Sequence, residues 1–185
     1  MTNSAPKDGP LPDAYLQEIG RTAVEWSKVE AAIETIIWVF LFIDFQESSP
    51  WHREPEGRAV TTHVNLLLRV DMMLSLASAT ASMTLTQKHP PFDELEEIAK
   101  EVRALYPKRN KCVHGLWSPI GNMALRQSYR ARGDISPFYD VMSLDDLRAV
   151  ADECAALAIK IENRITPLTI YVRELRTRWF ERAKE

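Results

Sequence analysis

Apolar residues recur at spacings of three, four and seven through four long stretches of this 185-residue sequence, and that period constrains most of the chain to helix. In the first stretch Ile19, Ala23, Trp26, Ile33, Ile37 and Phe40 keep one face, with Asp13 placed as N-cap and an end near Asp44. Glu30 interrupts that face between Trp26 and Ile33, where a carboxylate needs a solvent edge or a partner. After a loop over 46–58, rich in proline and serine, a second helix is expected to face inward with Val60, Val64, Leu67, Leu68, Met72 and Leu74. It fades into the small residues of 77–82. The third helix is predicted to begin after Pro90 and Pro91, with Asp93 and Glu96 as a capping box and Phe92, Leu95, Ile98, Val102 and Leu105 as its stripe.

Pro107 should break or kink this helix, because it has no N–H and crowds the carbonyl four residues back. If helix resumes at once, the stripe continues through Arg109, Cys112 and Leu116. Beyond Gly115 the pattern changes. Trp117, Pro119, a Gly121-Asn122 turn and residues 123–128 predict a small hairpin or an irregular excursion. Ser143 with Asp146 restarts helix as a second capping-box signal, followed by Leu144, Leu147, Ala151, Cys154, Leu157, Ile161 and Ile165. Thr166-Pro167 suits an N-cap and a first-turn proline, so a last helix bearing Leu168, Val172, Leu175 and Trp179 begins or bends there.

These elements predict an all-α fold: a four- to five-helix up-and-down bundle with a short hairpin or irregular excursion after the third helix. Residues 1–13, with three prolines and no apolar run, read as a disordered tail, and 14–185 as one helical domain. The apolar run 36–43 is too short for the roughly 18 residues a bilayer crossing needs, so no membrane association is expected. Being apolar on all sides, it belongs either at a dimer interface or inside the monomer.

The net charge of −3 argues against a chain that coats nucleic acid over its whole surface. Two isolated cysteines, Cys112 and Cys154, provide neither a disulfide framework nor a thiolate metal site, which suits a reducing cytoplasm. His52, His63, His89 and His114 are scattered and there is no glycine-rich phosphate loop, so no cofactor and no metal are expected. Cys112 and His114, two apart on a helix, point about 200° from each other and make a poor nucleophile and base.

Segment 106–117, Tyr-Pro-Lys-Arg-Asn-Lys-Cys-Val-His-Gly-Leu-Trp, gathers an arginine, an asparagine, two lysines and a histidine without an acid. Arg109, Asn110 and, after three more residues, His114 resemble the motif of HEPN domains, in which a polar residue commonly follows the arginine. Gly115, Trp117 and a Trp-x-x-x-Glu element, here Trp26 and Glu30, add to the likeness, which spans most of 13–165. Pro107, two residues ahead of Arg109, departs from the pattern.

The resemblance implies a metal-independent endoribonuclease that works as a homodimer, the motifs of two chains meeting in one cleft, and that yields 2′,3′-cyclic phosphate and 5′-hydroxyl ends. It also implies a toxin or defence effector held in check by an antitoxin or regulatory protein. On an ideal helix Arg109 and His114 diverge by roughly 140°, so one chain converges poorly and two would do better. The chemistry suits the residues. RNA carries its own nucleophile and needs a base, an acid and a cation, for which His114 and Arg109 are the catalytic candidates. Asn110 would orient the phosphate or the histidine, and Glu30 would hold the arginine's fork.

Between residues 104 and 133 there is no Asp or Glu, and Lys108, Lys111, Arg126 and Arg130 are read as RNA contacts. The competing reading is a non-enzymatic dimerisation or ligand-binding module of similar shape. A DNA-binding regulator is disfavoured, since no basic recognition helix appears.

Overall fold

A computed structural model describes residues 9–41, 61, 64–82, 89–129 and 137–182. They form α1 (Asp13–Leu41), α2 (Leu66–Ser82), α3 (Pro90–Val113), β1 (Leu116–Ile120), β2 (Met123–Tyr129), β3 (Pro137–Met142) and α4 (Leu144–Arg182). The protein is therefore mostly helical, with a small antiparallel sheet of order β1-β2-β3. The loop predicted over 46–58, most of the 1–13 tail and Arg130 lie outside the described residues.

Helix starts follow local chemistry, with small shifts from expectation. Pro12, not Asp13, occupies the cap of α1: its carbonyl accepts from Tyr15 N at 2.9 Å, leaving Asp13 to place negative charge in the first turn. Asn65 caps α2 by accepting from Leu68 N at 3.0 Å. Helix α3 starts at Pro90 rather than after the prolines, with the carbonyl of His89 accepting from Phe92 N at 2.7 Å. Prolines in a first turn cost no hydrogen bond, because those N–H groups have no helical partner anyway. At α4 the expected box forms: Ser143 N donates to Asp146 Oδ2 at 2.8 Å and Asp146 N donates back to Ser143 Oγ at 3.1 Å.

Two proline breaks do not occur. Helix α3 runs through Pro107, and α4 is one helix of 39 residues through Pro167, so no separate last helix exists. Each proline leaves the carbonyl four residues back, on Arg103 and Asn163, without its helical donor. All four residues are exposed, where water can take the donor's place. The inward face of α2 also differs: Leu66, Val70, Met73 and Ala77 are buried, whereas Leu68 is exposed. With apolar residues on nearly every side, that helix offered several stripes of similar quality.

The described chain divides into two compact units. The first holds Met1–Ser27 and Ala104–Ala156; the second holds Lys28–Arg103 and Leu157–Glu185. In the second unit Ile33, Ile36, Ile37, Val39 and Phe40 are buried, which answers the question left by the apolar run: over the described residues it is an inner helix segment. Phe92 sits at the centre of an aromatic cluster, 5.7 Å from Phe40, 5.2 Å from His89 and 5.6 Å from Tyr171. His89 Nδ1 lies 2.7 Å from the Tyr171 hydroxyl, and burial pushes that phenol above its ordinary pKa.

In the first unit the predicted hairpin is present and extended by a strand that the sequence pattern did not signal. Ile120 pairs with Met123 across Gly121-Asn122, and only the glycine has positive φ, at 60°, as a type II′ turn demands. Tyr15 donates to the carbonyl of Asn122 at 2.8 Å and ties this turn to α1. Strand β3 pairs Leu125 with Val141 and Arg126 with Asp140. Leu116, Met123, Tyr139 and Val141 share the outer face and are exposed. Because both faces carry apolar residues, the alternation that marks a half-buried strand is absent from 137–142.

No described helix is long and apolar enough to cross a membrane. The cap of α4 is open to test. Asp146→Ala should lower the urea midpoint at pH 7 by the equivalent of about 1 kcal/mol, the usual worth of a cap. Hydrogen bonds from Ser143 hold the Asp146 carboxyl below its ordinary pKa of 3.8, so its contribution is present above that value and fades as pH falls through the lower folded one. The gap between wild type and variant should close on acidification; equal midpoints at pH 7 would show that the box contributes nothing.

Candidate active site

The motif residues all belong to the first unit, on the last turns of α3 and the start of β1. Helix α3 stops at Val113. His114 still donates its N–H to the carbonyl of Asn110 at 3.0 Å, but Gly115 takes φ 146°, a conformation that L side chains rarely adopt, and the chain turns into β1.

Arg109 and His114 meet within one chain, which corrects the expectation that one chain converges poorly: the arginine side chain is long enough to reach the imidazole. Arg109 Nη1 lies 3.1 Å from His114 Nε2 and donates to Asn110 Oδ1 at 3.0 Å. A guanidinium has only donors, so in this contact Nε2 accepts and the imidazole proton sits on Nδ1. An imidazole with Nε2 unprotonated is equipped to act as a base. Arg109 Cζ lies over the Trp26 ring at 5.8 Å from its centroid, and Tyr106 packs against the same ring at 6.1 Å.

The turn into β1 is held from below. Arg126 on β2 donates from Nε to the carbonyl of His114 at 2.8 Å and from Nη1 to Asp140 Oδ2 at 3.3 Å. A Cβ on Gly115 would stand 2.9 Å from Arg126 Cγ and Nε and 3.1 Å from the carbonyl of Gln127. Trp117 Nε1 donates to the carbonyl of Cys112 at 3.2 Å, satisfying one of the last groups of α3. Arg126, expected as a surface contact for RNA, is 8% exposed and serves instead as a strut beneath His114.

The basic character read from 104–133 is largely countered from outside that segment. Lys108 pairs with Glu153 at 2.8 Å and Lys111 lies 3.7 Å from Asp140, both carboxylates that the segment itself lacks. These lysines border a hollow of about 440 Å³ floored by Val141, Met142, Ala149 and Val150, beside the Arg109 and His114 pair rather than containing it. The remaining described cations of this unit, Arg21, Arg126 and Arg148, also have carboxylate partners. Within this unit Arg109 alone has none among the described residues. Glu30, half-buried on α1, belongs to the second unit; in the first, the arginine's fork is engaged by Asn110, His114 and Trp26. In the sequence Trp26 stands out only through the motif likeness, and its place against Arg109 carries no signal beyond an aromatic on the buried face.

Thiol chemistry is poorly served. Burial pushes the Cys112 thiol up to about 11 and that of Cys154 up to about 12. Among the described residues no group of three His, Cys, Asp or Glu side chains is placed to hold a metal ion. No family model, curated protein or solved structure matches this chain.

Two outcomes follow from this geometry. Gly115→Ala should destabilise by about 1–3 kcal/mol, through the strained φ and the displacement of the Arg126 strut, and should lower the thermal midpoint. A midpoint unchanged from wild type would show that the turn tolerates a side chain. Native protein at pH 8 should resist thiol-specific alkylation for hours and react in urea, since about one Cys112 in a thousand would be ionised there. Rapid native labelling would place a thiol within reach of solvent.

Proposed function

We propose that this chain is a metal-independent endoribonuclease of HEPN type, with Arg109 and His114 as catalytic residues. The observation that carries the reading is the state of Arg109: within its unit it is the one described cation left without a carboxylate, and it lies 3.1 Å from the ring nitrogen of His114. A cation kept uncompensated beside a base is what an anionic substrate with an internal nucleophile requires.

In this reading a phosphate oxygen draws the Arg109 fork toward itself and leaves His114 Nε2 open to the 2′-hydroxyl. The 2′-oxygen attacks phosphorus as its proton passes to Nε2. The P–O5′ bond breaks, and the 5′-oxygen leaves with a proton supplied by water or by an imidazolium. The products are a 2′,3′-cyclic phosphate and a 5′-hydroxyl. Asn110, which accepts from Arg109 Nη1, orients the fork. Lys108 and Lys111 guide the strand once it displaces Glu153 and Asp140, the exposed Lys108–Glu153 pair being worth about 0–1 kcal/mol. Arg130 keeps the RNA contact read from the local charge, whereas the hold on the Arg109 fork expected of Glu30 forms no part of this reading, which rests on a fork without a carboxylate.

The helical stripes suggest the finer fold, an up-and-down bundle, and the isolated cysteines a cytoplasmic setting; the resemblance adds a homodimer and a toxin or defence effector with an antitoxin or regulatory partner. A second copy is not needed to join Arg109 to His114; it would supply a second imidazole as leaving-group acid. One observation favours the alternative of a non-enzymatic dimerisation or ligand-binding module. The outer face of the sheet exposes Leu116, at 65%, with Met123, Tyr139 and Val141, as a surface that meets another protein would.

Wild type and His114→Ala should be incubated with total RNA in EDTA and fragment ends read for cyclic phosphate. Cleavage by wild type, falling at least about 100-fold in the variant, is the expected outcome for loss of an acid–base group. No cleavage by either folded protein would leave the binding module as the better reading.

A further inference from the structure

We infer that Trp26 is the positioning residue of Arg109, fixing the plane of its guanidinium through the indole face. The functional consequence rests on the ribonuclease reading above; the contact does not.

Trp26 is fully buried on α1, and Arg109 Cζ stands over its ring at 5.8 Å. The ring is itself wedged against α3, since Tyr106, one turn before Arg109 and on the same side of that helix, packs on it at 6.1 Å with a tilt of 48°. Two buried N–H groups at this junction, Arg109 Nε and Trp26 Nε1, have no hydrogen-bond partner among the described residues. An arginine is normally oriented by bonds from its whole fork; here one edge of the fork is withheld from any acceptor, and the π face stands in for it.

The substitution has a chemical consequence. A carboxylate would hold the fork equally well but would occupy its donors and cancel its charge. The negative face of an indole orients a cation while leaving the charge uncompensated and the Nη groups facing His114 and Asn110. The ring contacts of Trp26 are with Tyr106 and Arg109, so it acts on the site through Arg109.

The test compares Trp26→Leu and Trp26→Phe with wild type, first by ¹⁵N NMR of the arginine side chains. The Arg109 Nε–H signal, identified by its loss in Arg109→Lys, should be shifted by the ring and slow to exchange in wild type. It should move toward the position of solvent-exposed arginines in a folded Trp26→Leu. In RNA cleavage that variant should lose about tenfold in kcat with a pH profile unmoved from wild type, and Trp26→Phe, which keeps a ring face, should recover to within about threefold.

A folded Trp26→Leu with the wild-type Arg109 signal, or with wild-type kcat, would overturn the inference. If Trp26→Leu does not fold, Trp26→Phe decides, because a smaller ring must move the same signal and an unmoved signal overturns it. If wild type cuts no RNA, the ribonuclease reading falls separately, and the signal comparison alone upholds or overturns the positioning role.

Discussion

The site depends on where helix α3 stops. The His114 N–H keeps its helical bond to the Asn110 carbonyl, so Arg109 and His114 leave the backbone about 140° apart and the long arginine side chain spans the difference. Helix α3 ends at Val113 and Gly115 takes φ 146°, so no further helical turn follows His114, whose Nε2 lies 3.1 Å from Arg109 Nη1. The exit survives because it is braced. The missing side chain of Gly115 leaves room for Arg126, which binds the carbonyl of His114 and is in turn held by Asp140. The small sheet thus shapes the site directly, since β2 and β3 deliver the strut that keeps the end of α3 from winding on.

Electrostatics then sorts the cations by what they are left free to do. Lys108, Lys111 and Arg126 lie within a stretch devoid of acids, yet Glu153 and Asp140 reach them from α4 and β3. Arg109 receives an aromatic face, an amide oxygen and an imidazole nitrogen, none of which carries a compensating charge. A structural arginine in a half-buried place is normally paired, because an unpaired charge there is costly. Among the described residues of its unit this one has no carboxylate, and that feature is what the proposed reading builds on.

Much of the fold was legible because helical burial imposes a period. The stripes of α3 from Phe92 to Leu105 and of α4 from Leu147 to Ile161 are buried as read, and Ser143 with Asp146 formed its box. The failures have physical causes. Pro107 and Pro167 carry the signal of a break, but an exposed carbonyl can exchange its helical donor for water. Helix α2 is apolar on so many sides that periodicity could not choose its inner face, and β3 is apolar on both.

For the site, the motif lies in the right segment while its spacing misstates the geometry, and the cause is local. Spacing along an ideal helix treats Arg109 and His114 as fixed vectors, whereas the arginine side chain is long enough to reach His114 Nε2 from its own position. Counting charges within a segment similarly assigns Arg126 to the surface, because Asp140, its partner, lies fourteen residues away across a strand pair. There the deciding residue stands outside the window being read. Motif spacing is therefore a statement about backbone directions, and side-chain reach determines which residues converge.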